Sequence, residues 1–264
     1  MEPVSGSAAT RLASVNWAHA GRVARAALLR ELATDPRLAA ALPTSAPSLL
    51  EHYVRLLLAA NQRLNLTRIV EGQAVGILHL LDALVALPLL DELAPARAVD
   101  LGSGGGIPAL PLAIARPAMH WTLVESVRRK ASALEAFVED LGLANVTVLP
   151  ERAETVGRDP RHREQFALAT ARACAPLPVL AELAMPLLAV GGTLLAWKGP
   201  LRSGDPEVMA GQGAAGLLGG GALTVLPAGA EALGGHTLVR IPKDKPTPAR
   251  YPRRPGEPAR RPLA

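Results

Sequence analysis

Residues 99–108 read VDLGSGGGIP, and this stretch decides the fold. An apolar strand end leads into a glycine-rich turn, and a helical pattern follows. Glycine recurs in such turns because a Cβ would crowd a ligand that lies against the backbone. A turn that opens a helix can also aim several backbone N–H groups at that ligand. The stretch therefore predicts a ligand site at the end of a strand, and a glycine-rich loop without a ligand is the alternative.

The spacing of the glycines indicates the class of ligand. A dinucleotide site has the pattern G-x-G-x-x-G, but the sixth position counted from Gly102 is Ile107. The glycines instead alternate, at Gly102, Gly104 and Gly106. Asp100 stands two residues before the first of them. This D-x-G-x-G-x-G arrangement resembles the first motif of S-adenosylmethionine-dependent methyltransferases, so that cofactor is expected here.

Length, hydropathy and cysteine content restrict the class of protein. At 264 residues the chain suits one α/β domain with an appended segment. No apolar run reaches about 18 residues, so no membrane-spanning helix is expected. The N-terminus lacks the pattern of a signal peptide. The sequence contains one cysteine, Cys174, so no internal disulfide can form, which fits a cytoplasmic protein.

Alternating strands and helices over residues 96–242 predict a doubly wound, mostly parallel α/β sheet of seven strands. In such a sheet the ligand lies at the carboxyl ends of the strands. A helical segment over 45–95 precedes this core, and residues 1–44 are expected to be an extension that is partly disordered or helical. The strands are expected at 97–101, 120–125, 145–149, 166–171, 193–198, 222–226 and 236–241.

The predicted crossover helices follow from apolar residues at three- and four-residue spacing. Residues 204–221 are rich in glycine and poorly periodic, so no helix is expected there. The expected helices are 48–60, 73–87, 107–115, 127–141 and 177–189.

Basic residues are concentrated at the C-terminal end. The formal net charge is +5, and residues 243–264 alone account for it. A basic, proline-rich, extended tail suggests a polyanion partner, nucleic acid first, and a solvated tail that only aids solubility is the alternative. A membrane surface is less expected because the tail has no apolar face. The basic residues of this tail are Lys243, Lys245, Arg250, Arg253, Arg254, Arg260 and Arg261.

Charged residues follow the predicted strands where a nucleotide-type cofactor would lie. Glu125 closes the second strand, where an acid accepts hydrogen bonds from the ribose hydroxyls; an acid favoured by the helix dipole is the alternative. Ala153 and Glu154 follow the third strand, where residues edge the adenine, although Glu154 alone would read as a surface acid. Arg172 follows the fourth strand and can pair with the cofactor's carboxylate or with an RNA phosphate.

The segment around Arg172 also restricts the reaction. It lacks the Asn/Asp-Pro-Pro-aromatic motif that is usual in transferases acting on exocyclic amino groups. Methylation of pyrimidine carbon 5 needs a cysteine nucleophile, and Cys174 is a candidate, although a small buried cysteine is the favoured interpretation. The six histidines are scattered, so no metal site is expected, and His79 is interpreted as structural or RNA-facing.

Eight segments in order along the chain carry a resemblance: Asn65-Leu66-Thr67, His79-Leu80-Leu81-Asp82, 99–112, Leu123-Val124-Glu125-Ser126, Arg152-Ala153-Glu154, Ala171-Arg172-Ala173, Trp197-Lys198-Gly199 and 251–258. Together they resemble the rRNA small subunit methyltransferase G family, also called glucose-inhibited division protein B. The likeness spans residues 48–264 and is far more specific than the glycine turn alone. Ala109 stands where a glycine is expected, and residues 1–44 have no counterpart.

The resemblance implies methylation of N7 of one guanine in 16S rRNA, with S-adenosylmethionine as cofactor. The expected partner is 16S rRNA or the small ribosomal subunit, with no metal and no membrane, for a chain that acts as a monomer. Replacement of Arg172 by alanine should weaken cofactor binding strongly. By resemblance the cofactor contacts are Gly102, Ile107, Ala153, Glu154 and Arg172, and the motif and strand positions add Asp100, Gly104 and Glu125.

Guanine N7 already carries a lone pair, so no general base and no single catalytic residue is expected. Two alternatives stay open: a non-catalytic RNA-binding protein that keeps a cofactor-shaped loop, and a small-molecule methyltransferase for which the basic tail is dispensable. RNA contacts are expected from that tail and from Arg63, Arg68, Arg128, Arg129 and Lys198.

Overall fold

The computed structural model describes the backbone of residues 7–263 and the side chains from residue 17 onward. Its strands are β1 Arg97–Leu101, β2 His120–Val124, β3 Val146–Leu149, β4 Phe166–Arg172, β5 Leu188–Lys198, β6 Thr224–Pro227 and β7 Thr237–Pro242. They form a seven-stranded sheet in the order β3-β2-β1-β4-β5-β7-β6. Strands β1 to β5 are parallel, and β7 pairs antiparallel with β5 and β6.

This sheet confirms the doubly wound, mostly parallel seven-stranded architecture. The register pairs Leu101 at the end of β1 with Val124 on β2 and with Ala171 on β4. The carboxyl ends of these three strands are therefore level with one another. The glycine turn and the residues that follow β2 and β4 consequently meet at the same edge of the sheet.

The helices that precede β1 in the sequence form a layer that packs against the sheet. The chain enters through a long helix, and a π-helical turn, Gly76–Leu81, interrupts the predicted helix 73–87. The helices are α1 Ser7–Leu32, α2 Pro36–Ala41, α3 Ala46–Leu64, α4 Gly72–Val75, α5 Asp82–Leu84 and α6 Leu87–Leu93. Glu71 caps α4, because its carboxylate accepts the N–H groups of Gln73 and Ala74.

The remaining helices connect or follow the strands. The glycine-rich stretch 204–221, for which no helix is predicted, contains α11. Helix α10, predicted over 177–189, ends earlier, at Ala184, and β5 already begins at Leu188. The helices are α7 Ala109–Ala115, α8 Arg128–Asp140, α9 Ala153–Val156, α10 Leu177–Ala184, α11 Pro206–Leu217 and α12 Glu257–Arg260.

Helix α1 is part of the packed helical layer, although residues 1–44 are predicted to be an appended extension. Ala24 and Leu28 of α1 are fully buried. A Cβ built on Gly72 would come within 2.9 Å of the Ala20 carbonyl oxygen, so α1 and α4 approach backbone to backbone. The described part of 1–44 therefore closes the hydrophobic core over α3 and the π-helical turn.

One helical run in the described residues has the length and composition of a membrane span. It covers Gly72–Leu93, and 61 % of its most apolar window is buried inside the protein. Leu80, Leu84 and Leu87 belong to the hydrophobic core shared with α1 and α3. Its apolar character is thus explained by packing within the helical layer.

The C-terminal residues 243–263 are packed, so the expectation of an extended tail is wrong. Lys243 is buried and donates to the carbonyl oxygen of Met185 and to Thr247 Oγ1. Burial lowers the pKa of this lysine to about 8. Arg253 pairs with the fully buried Glu182. Two of the seven tail cations therefore hold the fold together, and trimming this segment would disrupt the core as well as remove charge.

The approach of α1 to the π-helical turn can be tested at Gly76. A Cβ there would collide with the Ala24 carbonyl oxygen and lie 2.9 Å from the Cβ of Ala27. Gly76→Ala should therefore lower the free energy of unfolding by about 2 kcal/mol. The matched control is Gly216→Ala in α11, where nothing lies within 4 Å. That change should stabilise the protein by up to about 1 kcal/mol in urea unfolding; equal effects at both positions would contradict the close approach.

Candidate functional site

Two adjoining cavities open at the carboxyl edge of the sheet. The larger, of about 700 Å³, is lined by residues 65–69, the glycine turn, Glu125 and Arg172. The smaller, of about 220 Å³, is lined by the ends of β1 and β2, the residues after β3, and helix α10. Gly102 and Cys174 line both cavities. Gly102 and Cys174 therefore lie where the two cavities adjoin, and the two cavities together are called the cleft.

The glycine turn adopts a left-handed backbone at Gly102 (φ +66°) and Gly104 (φ +54°). Its N–H groups do not all face the cleft as predicted. Those of Gly102 and Ser103 donate to the Val124 carbonyl oxygen at 2.9 and 3.2 Å, and that of Gly104 donates to Glu125 Oε2 at 2.9 Å. The turn is therefore bonded to the end of β2, which fixes its shape before any ligand binds.

Helix α3 supports this turn from the opposite side. The Tyr53 hydroxyl, on a fully buried side chain, donates to the Gly105 carbonyl oxygen at 2.8 Å. A Cβ on Gly105 would come within 2.8 Å of Leu57 Cδ1. Tyr53 and Leu57 are recognisable in the sequence only as apolar positions of a helix, so their role at the site could not be predicted.

Asp100 lies beneath the turn at the end of β1. Its Oδ1 accepts the Thr170 hydroxyl at 2.6 Å, while its buried Oδ2 has no hydrogen-bond partner among the described residues. Burial raises the pKa of Asp100 to about 7, although the hydrogen bond from Thr170 opposes that shift. A buried carboxylate oxygen without a partner is costly, and a cationic donor would satisfy it.

Glu125 uses both carboxylate oxygens to organise the cleft. Oε2 accepts the Gly104 N–H, and Oε1 accepts the Val127 N–H at 2.8 Å, at the start of α8. The side chain is buried but lines the larger cavity. Each oxygen keeps a further lone pair, so the predicted contact with ribose hydroxyls remains chemically open.

Arg172 forms an ion pair with Asp82, a partner that the sequence alone does not indicate. Its Nε lies 2.9 Å from Oδ2 of Asp82, whose side chain is 2 % exposed, and its Nη2 donates to the Leu78 carbonyl oxygen at 2.6 Å. The other oxygen of Asp82 lies 2.9 Å from His236 Nδ1 on the loop before β7. The π-helical turn places the Leu78 carbonyl oxygen next to Arg172. These contacts fix the orientation of the Arg172 side chain in the wall of the larger cavity.

His79 lies beside Arg172 and lines the same cavity. Its Nε2 is 2.7 Å from Thr67 Oγ1, and its Nδ1 is 3.0 Å from the Leu78 carbonyl oxygen. Burial, and then the charge of Arg172, lowers the pKa of His79 to about 4. The imidazole is therefore neutral at pH 7, as a structural histidine would be.

Ala153 and Glu154 line the smaller cavity, and Ile107 lines the larger one. Glu154 is buried rather than a surface acid, and its Oε1 accepts the Gly256 N–H at 2.7 Å. One oxygen of this acid is thus engaged by the C-terminal segment. Its predicted place at the adenine edge stays a prediction.

Cys174 is exposed to the cleft, so the expectation of a buried cysteine is wrong. The concave wall still surrounds the thiol with protein atoms. This desolvation, and then the negative charge of Asp100, raises the pKa of Cys174 to about 12. Because only the thiolate is a good nucleophile, Cys174 is not prepared for attack on a pyrimidine ring at neutral pH.

The residues predicted to bind RNA divide into two groups. Arg63, Arg68, Arg128 and Arg129 are exposed. Arg68 lines the larger cavity, and Arg128 and Arg129 directly precede Lys130, which also lines it. Lys198 is instead bound internally, 2.6 Å from Glu207 Oε1, as are two cations of the C-terminal segment. Throughout residues 7–263 no group of three His, Cys, Asp or Glu side chains is placed to hold a metal ion.

Comparison with solved structures agrees with this fold. Cofactor-bound Rv0187 from MTB is 18 % identical and covers 73 % of this chain and 90 % of its own, with a TM-score of 0.52. The citrinin polyketide synthase CMeT domain is 12 % identical over 83 % of this chain and 69 % of its own, also with a TM-score of 0.52. The strand order is that of the class I S-adenosylmethionine-dependent methyltransferase fold.

Sequence comparison then gives the family. The family model GidB, rRNA small subunit methyltransferase G, matches residues 47–211. Ribosomal RNA small subunit methyltransferase G of Deinococcus radiodurans is 44 % identical over 81 % of this chain and 85 % of its own length. The protein of that name from Roseiflexus castenholzii is 47 % identical over 80 % and 89 %. The chain belongs to the rRNA small subunit methyltransferase G family.

Membership of this family confirms the expected cofactor and activity. The chain is an S-adenosylmethionine-dependent methyltransferase of 16S rRNA, and the guanine N7 reaction is that of its family. The alternatives of a pyrimidine carbon-5 enzyme that uses Cys174, a small-molecule enzyme and a non-catalytic binding protein are therefore wrong.

The ion pair of Asp82 with Arg172 gives a prediction for stability. Asp82→Asn removes the negative partner of a largely buried guanidinium and should lower the free energy of unfolding by about 3 kcal/mol. The matched control is Asp91→Asn, which breaks an exposed pair with Arg116 at 2.7 Å and should cost less than about 1 kcal/mol. Urea unfolding measures both, and equal losses would contradict a special role for Asp82.

Proposed function

We propose that the cleft transfers the methyl group of S-adenosylmethionine to guanine N7 of 16S rRNA by positioning alone, without a catalytic base. The observations that carry this proposal are the buried Oδ2 of Asp100, which has no partner among the described residues, and the presence of Arg68 and Arg172 in the wall of the larger cavity. The first feature suits a cationic cofactor, and the second suits a polyanionic substrate.

The residues present fit the cofactor. Asp100 Oδ2 is a buried acceptor without a partner, so it would hold the cofactor's ammonium group. Glu125 would accept the ribose hydroxyls, and Arg172 would pair with the carboxylate. Gly102 lines both cavities, and a Cβ there would stand 3.0 Å from that of Cys174, so a side chain at this position would crowd the wall that the two cavities share. Gly104, Ile107, Ala153 and Glu154 complete the proposed cofactor site.

The cofactor supplies a methyl group made electrophilic by a sulfonium, and the protein supplies orientation. Guanine N7 attacks through its own lone pair, so no proton must leave before the bond forms. The titratable groups around the cleft agree with this. His79 has a pKa of about 4 and is a weak base, and Cys174 has a pKa of about 12 and stays a thiol. Burial also raises the pKa of the Tyr53 hydroxyl.

The exposed arginines around the larger cavity would bind the phosphates of the RNA and set its register. Few aromatic side chains are available for stacking, at 3 % of the sequence. Specificity would therefore come from RNA shape and from backbone contacts. We propose that the chain acts as a monomer in the cytoplasm, on 16S rRNA that is either free or part of the small ribosomal subunit.

The charge of Asp100 predicts a pH dependence of cofactor binding. With a pKa of about 7, this carboxyl group is protonated below neutral pH and ionised above it. Only the ionised form attracts an ammonium group, and an α-ammonium group keeps most of its proton up to about pH 7.5, so affinity for S-adenosylmethionine should rise about fivefold from pH 6 to about pH 7.5. Isothermal titration calorimetry measures it. Asp100→Asn should bind weakly with a flat profile, and an unchanged slope in that variant would exclude Asp100.

The activity itself is tested with labelled S-adenosylmethionine and small ribosomal subunits from a strain that lacks this enzyme. Label mapped by N7-specific strand scission should appear at a guanine N7. Label on another atom would contradict the proposed chemistry. Naked 16S rRNA, assayed in parallel, distinguishes the assembled subunit from free RNA as the substrate.

The arginines at the cleft mouth give a prediction for substrate binding. Arg68→Ala combined with Arg128→Ala should raise the KM for the ribosomal substrate about tenfold and leave cofactor affinity unchanged. A double variant of Arg22→Ala and Arg30→Ala on α1, which removes the same charge elsewhere, is the control. If both double variants raise KM equally, net charge rather than the cleft mouth attracts the RNA.

A further inference from the structure

The C-terminal segment 243–263 reaches the cleft, and buried charges hold it there. Arg253 Nε lies 2.9 Å from Oε1 of Glu182, a side chain on α10 with no exposed surface. The Arg253 backbone N–H donates to the same oxygen at 2.8 Å. Arg163 donates to the carbonyl oxygens of Tyr251 and Thr247 at 2.7 and 2.8 Å. Such contacts fix the path of the chain towards its end.

Beyond these anchors the segment bonds directly to a residue of the proposed cofactor site. The Gly256 N–H donates to Glu154 Oε1 at 2.7 Å. Pro258 and Ala259 of α12 then line the smaller cavity together with Ala153 and Glu154. The same cavity contacts Gly102, so its wall is shared between the start of the methyltransferase sheet and the C-terminal segment.

The smaller cavity has the more apolar wall of the two. Leu101, Val124, Val179, Leu183 and Pro258 line it, and its charged residues are Glu151, Arg152 and Glu154. The larger cavity places Glu125, Lys130 and Arg172 beside the glycine turn. A flat heterocycle with apolar faces suits the first, and the charged amino-acid part of a nucleoside-type cofactor suits the second.

We propose that Pro258 and Ala259 are cofactor-binding residues, which form the wall against which the adenine ring packs. The inference rests on the cofactor site proposed above and adds to it a segment that lies outside the matched residues 47–211. Because Gly256 is bonded to Glu154, cofactor binding and docking of α12 favour each other. By linkage, ligand binding must then slow the opening of the C-terminal segment.

The position of Ala259 allows a clean test, because it lines the cavity and yet is exposed. Ala259→Phe places a ring in the cavity with no core packing to disturb. It should raise the Kd for S-adenosylhomocysteine about tenfold or more in titration calorimetry. Arg260→Phe is the matched control on the same helix, at a residue outside this cavity, and should change the Kd less than about twofold.

A second measurement uses the unmodified protein, so its result does not depend on whether a variant folds. Amide hydrogen exchange of residues 256–261 should slow when S-adenosylhomocysteine is added. Normal binding by Ala259→Phe, or exchange unchanged by the ligand, would overturn the role of α12. Failure of the unmodified protein to bind S-adenosylhomocysteine at all would instead overturn the proposed cofactor site.

Discussion

The ion pair between Asp82 and Arg172 joins the helical layer to the catalytic edge of the sheet. Both charges are removed from most solvent, and such a pair is tolerated only when further hydrogen bonds satisfy the remaining groups. Here the Leu78 carbonyl oxygen and His236 provide them. Trp197 Nε1 also donates to the Asp82 carbonyl oxygen at 2.6 Å. The helical layer, β4 and the β6–β7 region thus meet at one carboxylate, which orients Arg172 in the wall of the larger cavity.

Much of the fold could be predicted from the sequence, because most strands are short apolar runs bounded by turn residues; β5 is longer than predicted, since it continues through Gly191 and Gly192. β1 begins and ends where the pattern places it, and the glycine spacing led to the correct cofactor class. The positions of Arg172 and Glu125 at the ends of β4 and β2 were also predictable, since parallel strands bring their carboxyl ends to one edge. These features depend on local periodicity, which a single sequence contains.

The rest depends on contacts between distant residues. Asp82 appeared only as part of a family motif, because its partners, Arg172 and His236, follow it by many residues. The π-helical turn preserves the apolar spacing of an ordinary helix and so leaves no local signal. The N–H groups of Gly102 and Ser103 donate to Val124 at the end of β2, and that of Gly104 donates to Glu125, although the sequence predicts that they face a ligand. In the C-terminal segment the charge suggested a free tail, whereas Lys243 and Arg253 pair with Glu164 and Glu182 on other parts of the chain and hold the segment in place.

The shared wall of the smaller cavity has a consequence for local unfolding. Gly102 directly follows β1, and Ala259 lies beyond β7, so the two sides of this pocket are far apart in sequence. The C-terminal side is attached through Arg253 with Glu182 and through Gly256 with Glu154. Detachment of this segment alone would therefore remove one side of the pocket while every strand of the sheet stays paired.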